Sequence, residues 1–308
     1  MKIQDKKKIS KTLLFGGSGF LGPNILKRYP ELICVGRSKP PFYVKNKFIK
    51  LNKFDDINKL NNIKFDRVIF LIGNSDHHKL NSSNLDLALS HNFYPLKKAL
   101  NYFEKRKIKK VITFSGALIY GTKNLKLPVD EKHPIDGFQN NYLFSKFLAE
   151  QLCDFYRKKI PIINIRLSNI YGPTLLKRPD LVQSILMRIL IDKKKKFPIW
   201  NFSPKRDFIH TDDVADAIIN LLFSNYSGNI NLGTGKSNSV GTVCKIIKKY
   251  TKADIKNLNK RVGGQKEFRF NINLIKKITK WEPQIQLEDG LRKTIDQIET
   301  YKNESKKK

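Results

Sequence analysis

Apolar residues along the chain fall into short unbroken runs set between longer stretches with helical spacing. The runs occupy residues 12–15, 32–35, 48–51, 67–72, 110–114 and 162–167. Runs of this kind, bounded by Gly, Pro or charged residues, are what strands covered on both faces require. Between them, Ile57 and Leu60 mark a short helix at 55–62. Leu85, Leu89, Phe93, Leu96 and Leu100 form one stripe over 83–105, and residues 140–158 read as a second long helix. Strand and helix alternate without a break, so the pattern predicts an α/β fold built on a doubly wound parallel sheet.

After Pro173 the units shorten. Helices are predicted over 181–191, 212–223 and 239–250, separated by extended pieces at 208–210 and 229–232. This predicts a smaller C-terminal lobe, residues 173–203 and 236–300, closing over the carboxyl edge of the sheet. Residues 1–172 would form the main domain and 204–235 would return to it. The lysines at 193–196 and a basic tail at 301–308 are expected to be solvated.

The first strand runs straight into Gly16, Gly19 and Gly22, spaced three apart. Such spacing turns a strand tightly into a helix, brings bare backbone against a pyrophosphate and aims the amides around Phe20 and Leu21 at its charge. A dinucleotide is the ligand this implies. The second apolar run ends about twenty residues on, where an acid would accept the ribose 2'-hydroxyl of NAD. The chain has Gly36, Arg37, Ser38 and Lys39 there instead. Arg37 with Ser38 suits a 2'-phosphate, which favours NADP over NAD; a solvated basic turn is the alternative. The fourth run ends at Gly73, and the polar loop that follows, with Asn74, His77 and His78, should face the same crevice.

Composition adds limits. A formal net charge of +33 suggests an anionic partner, but only 12 of the 60 basic residues are Arg and the lysines are spread along the chain. Nucleic-acid binding is therefore not expected. The three cysteines are far apart, without disulfide or metal-ligand spacing, which fits a reducing cytoplasm. No apolar stretch is long enough for a membrane span, and no bound metal is expected.

Tyr142 and Lys146 lie four apart at the start of a predicted helix, so both side chains leave one face. An adjacent ammonium together with a cationic nicotinamide ring should favour the phenolate over a phenol of usual pKa about 10, and let Tyr142 act as acid or base at a sugar hydroxyl. Taken with Ser115 to Gly121, Arg166 to Pro173, Arg206 to Ala215, Asn231 to Gly235 and Trp281 to Pro283, all in order, the chain resembles extended short-chain dehydrogenase/reductases of the NAD-dependent epimerase/dehydratase family. That resemblance implies a Rossmann domain and an enzyme working on a nucleotide-activated sugar through hydride transfer at a ring carbon, C4 above all. It makes Tyr142 the base, Lys146 and Asn92 its support, and Asn169, Arg206 and Arg261 the contacts to the nucleotide diphosphate. It implies a homodimer paired through the helices at 83–105 and 140–158.

Two departures stand out. Gly116 occupies the position where the family carries a Ser or Thr donor, leaving Ser115, Asn74, His77 or His78 to compensate. Ala117 and Leu118 replace the Asp-Glu pair of a dehydratase, which points to an epimerase or ketoreductase. The alternative is a catalytically weak dinucleotide-binding protein that uses its basic surface on RNA or an anionic surface.

Overall fold

The computed structural model describes residues 9–122 and 125–307. Strand β1, Thr12–Phe15, leads through the glycine loop into helix α1, Leu21–Arg28. Strands β2, Ile33–Gly36, and β3, Phe48–Lys50, follow, then a 3-10 turn at Phe54–Leu60 and β4, Arg67–Phe70. Next come the short helix α2, His77–Asn81, and helices α3, Leu85–Asn92, and α4, Tyr94–Glu104. The single long helix expected over 83–105 is therefore two. Pro95, on the first turn of α4, has no amide to continue the α3 ladder, and the chain breaks at Phe93.

Strand β5, Lys110–Gly116, helix α5, Asn141–Tyr156, and strand β6, Ile162–Leu167, complete the first half of the chain. The second half holds β7, Asn169–Tyr171; α6, Leu181–Leu186, prolonged by a π-turn at Met187–Ile191; β8, Lys196–Ile199; β9, Lys205–Arg206; and β10, Phe208–His210. Then follow α7, Thr211–Leu222; β11, Gly228–Leu232; β12, Asn238–Ser239; α8, Val240–Thr251; and β13, Asp254–Asn257. The chain closes with α9, Asn273–Thr279, and α10, Leu287–Ser305.

Seven strands form one parallel sheet in the order β11-β6-β5-β4-β1-β2-β3. Because side chains alternate across a strand, Leu14, Ile69, Ile112 and Ile163 face one apolar layer while Leu13, Phe15, Val68 and Val111 face the other. Helices cover both faces, as a doubly wound sheet requires. The order reverses between β1 and β4, so the loops after these two strands part and leave a crevice at the carboxyl edge.

A third apolar cluster, with Val182, Ile185, Phe197, Val243, Ile247 and Ile295, is the core of the smaller lobe. The lysine run at 193–196 is exposed, as expected, and its last member, Lys196, opens β8, which pairs with β13 and sends Phe197 into this cluster. The expected basic tail also begins later than 301, since α10 continues to Ser305 and Tyr301 is buried. Tyr301 stacks on Tyr43 at 3.9 Å between ring centroids and accepts a hydrogen bond from Lys27 at 2.8 Å, which anchors the end of the chain to α1. Among the described residues, no helix is long and apolar enough to cross a membrane.

Candidate active site

The crevice holds a cavity of about 220 Å3 lined by Gly16, Gly19, Phe20, Leu21 and Gly22 from the first loop, Gly73 and Asn74 from the second, Asn92, Ser115, Tyr142 and Lys146. They come from the loops after β1 and β4, the end of β5, the last turn of α3 and the first turns of α1 and α5, which is why residues more than a hundred positions apart meet here. Two close approaches explain glycines. A Cβ at Gly22 would collide with the Gly16 carbonyl, preventing α1 from packing against its own loop. One at Gly73 would stand 3.0 Å from Asn92 Oδ1 and 3.5 Å from Lys146 Nζ, so the bare backbone lets both reach the loop after β4.

Tyr142 is held by a chain of hydrogen bonds. The Asn74 amide donates to Asn92 Oδ1 at 2.8 Å, Asn92 Nδ2 donates to Ser145 Oγ at 3.0 Å, and Ser145 Oγ donates to the Tyr142 carbonyl at 2.7 Å. Asn140 caps α5 by accepting from the Leu143 amide at 3.0 Å, and Asn81 accepts from the Tyr142 amide at 3.1 Å. Behind the helix, Glu150 pairs with Arg166 at 2.8 Å, both fully enclosed. Asn92, Ser145 and Tyr142 are all buried, so the face of α5 that carries Tyr142 has little freedom.

The electrostatics correct one expectation. Lys146 does not pull Tyr142 down: burial pushes the phenol up to about 12, and the charges that act on it are Asp180, which raises it further, and Arg178, which lowers it. Burial also lowers Lys146 to about 8, against the opposing pull of Glu150. Loss of hydration disfavours both charged forms. Arg178 and Asp180, not singled out in the sequence, come from the segment after β7. Arg178 donates to Ser75 Oγ at 2.8 Å and to Asp180 at 2.6 Å, and lies over the Phe20 ring at 5.0 Å. Nothing in the local Lys-Arg-Pro-Asp sequence signals that it spans the two loops of the crevice.

A second cavity, of about 440 Å3, continues past Gly73 and is lined by Gly36, Arg37, Asn52, Lys53, Ser90 and His91. Arg37 and Ser38 are both exposed at the end of β2, but only Arg37 lines the cavity. The pair of cavities fits an elongated dinucleotide. Gly19 is open to solvent above the start of α1, and Ser115 Oγ is buried without a hydrogen-bond partner while lining the space beside Tyr142. Gly16, Gly19, Phe20, Leu21 and Gly22 could hold the phosphates of such a group, and Gly73, Asn92, Tyr142 and Lys146 its reactive half.

The remaining expected residues lie apart from that cavity. His77 starts α2 with its ring 6.1 Å from that of Tyr142, and burial lowers its pKa. Asn169 is exposed on β7, Arg206 is half-buried on β9 with its guanidinium donating to the Lys205 carbonyl at 2.8 Å, and Arg261 is exposed. None of these three lines the cavity that holds Tyr142. Asp207 is structural: it is fully buried and accepts from the amides of Thr234, Gly235 and Phe270. Asp212 accepts from Lys293 at 2.6 Å at the start of α7. Among the described residues, no group of acidic, His or Cys side chains could hold a metal ion.

Residues 12–233 match the model of the NAD-dependent epimerase/dehydratase family. The chain belongs to that family. A provisionally assigned UDP-glucose 4-epimerase of Methanocaldococcus jannaschii is 31% identical over 206 residues, covering 64% of this chain and 65% of that protein. The fold is shared with a UDP-glucose 4-epimerase of Thermotoga maritima, solved with UDP-glucose, at a TM-score of 0.84 and 20% identity over 96% of this chain and 99% of the other. It is shared also with RMD of Pseudomonas aeruginosa, solved with NADPH, at a TM-score of 0.79 and 20% identity over 94% and 99%. In this family member Gly116 stands in extended backbone with room around it: an added Cβ would meet only the Leu167 carbonyl oxygen at 3.8 Å. The glycine is thus not enforced by packing, and Ser115 is the hydroxyl that faces Tyr142's cavity.

Proposed function

We propose that the protein interconverts a hydroxyl and a ketone at a ring carbon, C4, of a nucleotide-activated sugar, as a 4-epimerase or a 4-ketoreductase. The single observation that carries this reading is the convergence of Tyr142, Lys146 and the unpartnered Ser115 hydroxyl in one cavity that begins at the glycine loop. When bound there, a nicotinamide cofactor supplies the hydride exchange. As the phenolate, which a cationic nicotinamide ring beside it would favour over the buried phenol, Tyr142 would take the proton from the sugar hydroxyl on oxidation, and as the phenol it would return it on reduction. Ser115 donates to the same oxygen as charge develops on it. Lys146, its pKa lowered by burial to about 8 but still mostly cationic at neutral pH, holds the cofactor's reactive half against Gly73. Arg206 and Arg261 on the smaller lobe suit the diphosphate of the substrate, and His77 its sugar. Arg37, in a cavity with no acid at the NAD-reading position, supports NADP as the preferred cofactor. The exposed Tyr94 and Phe155 on the helical face around α4 and α5 support a homodimer through that face.

The test is turnover of UDP-glucose with NAD, and of a 4-keto sugar nucleotide with NADPH, by the wild type and Tyr142→Phe. The variant should lose about 10^3-fold in kcat because it lacks the proton-transferring group, while cofactor fluorescence titration shows binding retained. A fully active Tyr142→Phe protein would contradict the reading.

A further inference from the structure

The second cavity is lined on its polar side by Arg37, Lys53, Asn52, Ser90 and His91 and by no carboxylate. His91 is half-buried on the last turn of α3, on a rigid element, whereas Arg37 sits on the turn after β2. The charges that reach His91 are Lys79 on α2 and Arg37, both cationic; Lys53 stands across the cavity at the start of the 3-10 turn. From α4 the neighbour is Pro95, which carries no charge. Among the described residues, Arg37, Lys53 and Lys79 form no ion pair. Several cations gathered around one cavity repel one another, and a compact dianion at their centre would remove that cost. A phosphomonoester is such a group. It accepts hydrogen bonds on three oxygens, and its second ionisation lies at about pH 6.

We propose that His91, with Arg37 across the same cavity, holds the 2'-phosphate of the cofactor and makes the choice of NADP over NAD depend on pH. This rests on the reading that the two cavities take a nicotinamide dinucleotide. One turn of α3 then carries two tasks: His91 reads the phosphate and the adjoining Asn92 supports Tyr142. Phosphate binding favours protonated His91, so complex formation takes up a proton once the solution is above the histidine's own pKa.

The experiment is fluorescence titration of the full chain with NADPH and NADH, together with competition by adenosine 2',5'-bisphosphate and by AMP, from about pH 5.5 to 8.5. The wild type should prefer the 2'-phosphorylated ligand of each pair by about tenfold or more near pH 6.5, as charge-assisted contacts to a dianion would give. The preference should decline as the pH rises and His91 loses its proton. His91→Gln should lower the NADPH-to-NADH ratio severalfold and abolish the decline, and Arg37→Gln should lower the ratio while leaving the decline in place. A His91→Gln protein with the wild-type ratio and pH profile overturns the proposal. Equal affinity of the wild type for NADH and NADPH overturns it too, while leaving the dinucleotide reading intact; binding of neither overturns both.

Discussion

The two ends of the crevice are built on opposite terms. At the Tyr142 end short hydrogen bonds through Asn74, Asn92 and Ser145 tie the loop after β4 to the backbone of α5. At the Arg37 end the cations are unpaired and mostly exposed, and their positions follow from turns and helix ends. The first end is rigid before any ligand arrives; the second stores repulsion that a ligand releases. Rigid, dry sites gain the most from preorganised donors, whereas exposed charge is screened and contributes chiefly to choosing between ligands. On the proposed function, the same chain would separate doing the chemistry from selecting the cofactor.

The sharpest way to break this contrast is at Ser115. If its free hydroxyl is the preorganised donor at the reacting oxygen, Ser115→Ala should lower kcat by about 10^2-fold, the usual cost of one such donor; an unchanged kcat would leave the Tyr142 end with no donor but the phenol. A smaller effect is expected at Asn92. Asn92→Ala takes the acceptor from the part-buried Asn74 amide and the donor from the buried Ser145 oxygen, which keeps its own bond to the Tyr142 carbonyl, and should cost about 1–3 kcal/mol of stability, measurable by urea unfolding. Smallest is the signature of Lys146. Its folded-state pKa is held down to about 8, below the usual lysine value of about 10.4. Between these two values the unfolded chain still binds the proton that the folded chain has released, so stability should rise with pH across that window. Lys146→Met should flatten that rise in denaturation curves; a rise that persists unchanged would place its origin elsewhere.

Much of the frame was legible in the sequence because buried parallel strands leave unbroken apolar runs, and the six expected strands appear where those runs lie. The glycine loop, Tyr142 and Lys146 were legible because their chemistry fixes spacing within one turn or one helix. What was hidden depends on distant chain. The stripe from Leu85 to Leu100 looks continuous although Pro95 breaks it, since apolar spacing alone does not register a missing amide. Strands β8 and β13 are short and Lys-rich, and only their pairing and the buried Phe197 make them part of a core. Arg178 and His91 carry no local signal at all; each matters because of a loop brought to it by the fold. The expected effect of Lys146 on Tyr142 failed for the same reason, since burial, which spacing does not reveal, outweighs a neighbouring charge.

The clasp between Tyr301 and Tyr43 has a mechanical consequence. Helix α10 is rooted in the smaller lobe through Leu291, Ile295 and Ile298 and ends on the opposite body of the molecule. It therefore works as a tie-rod. Any movement of the lobe clear of the sheet would have to part the two rings and break the Lys27 bond.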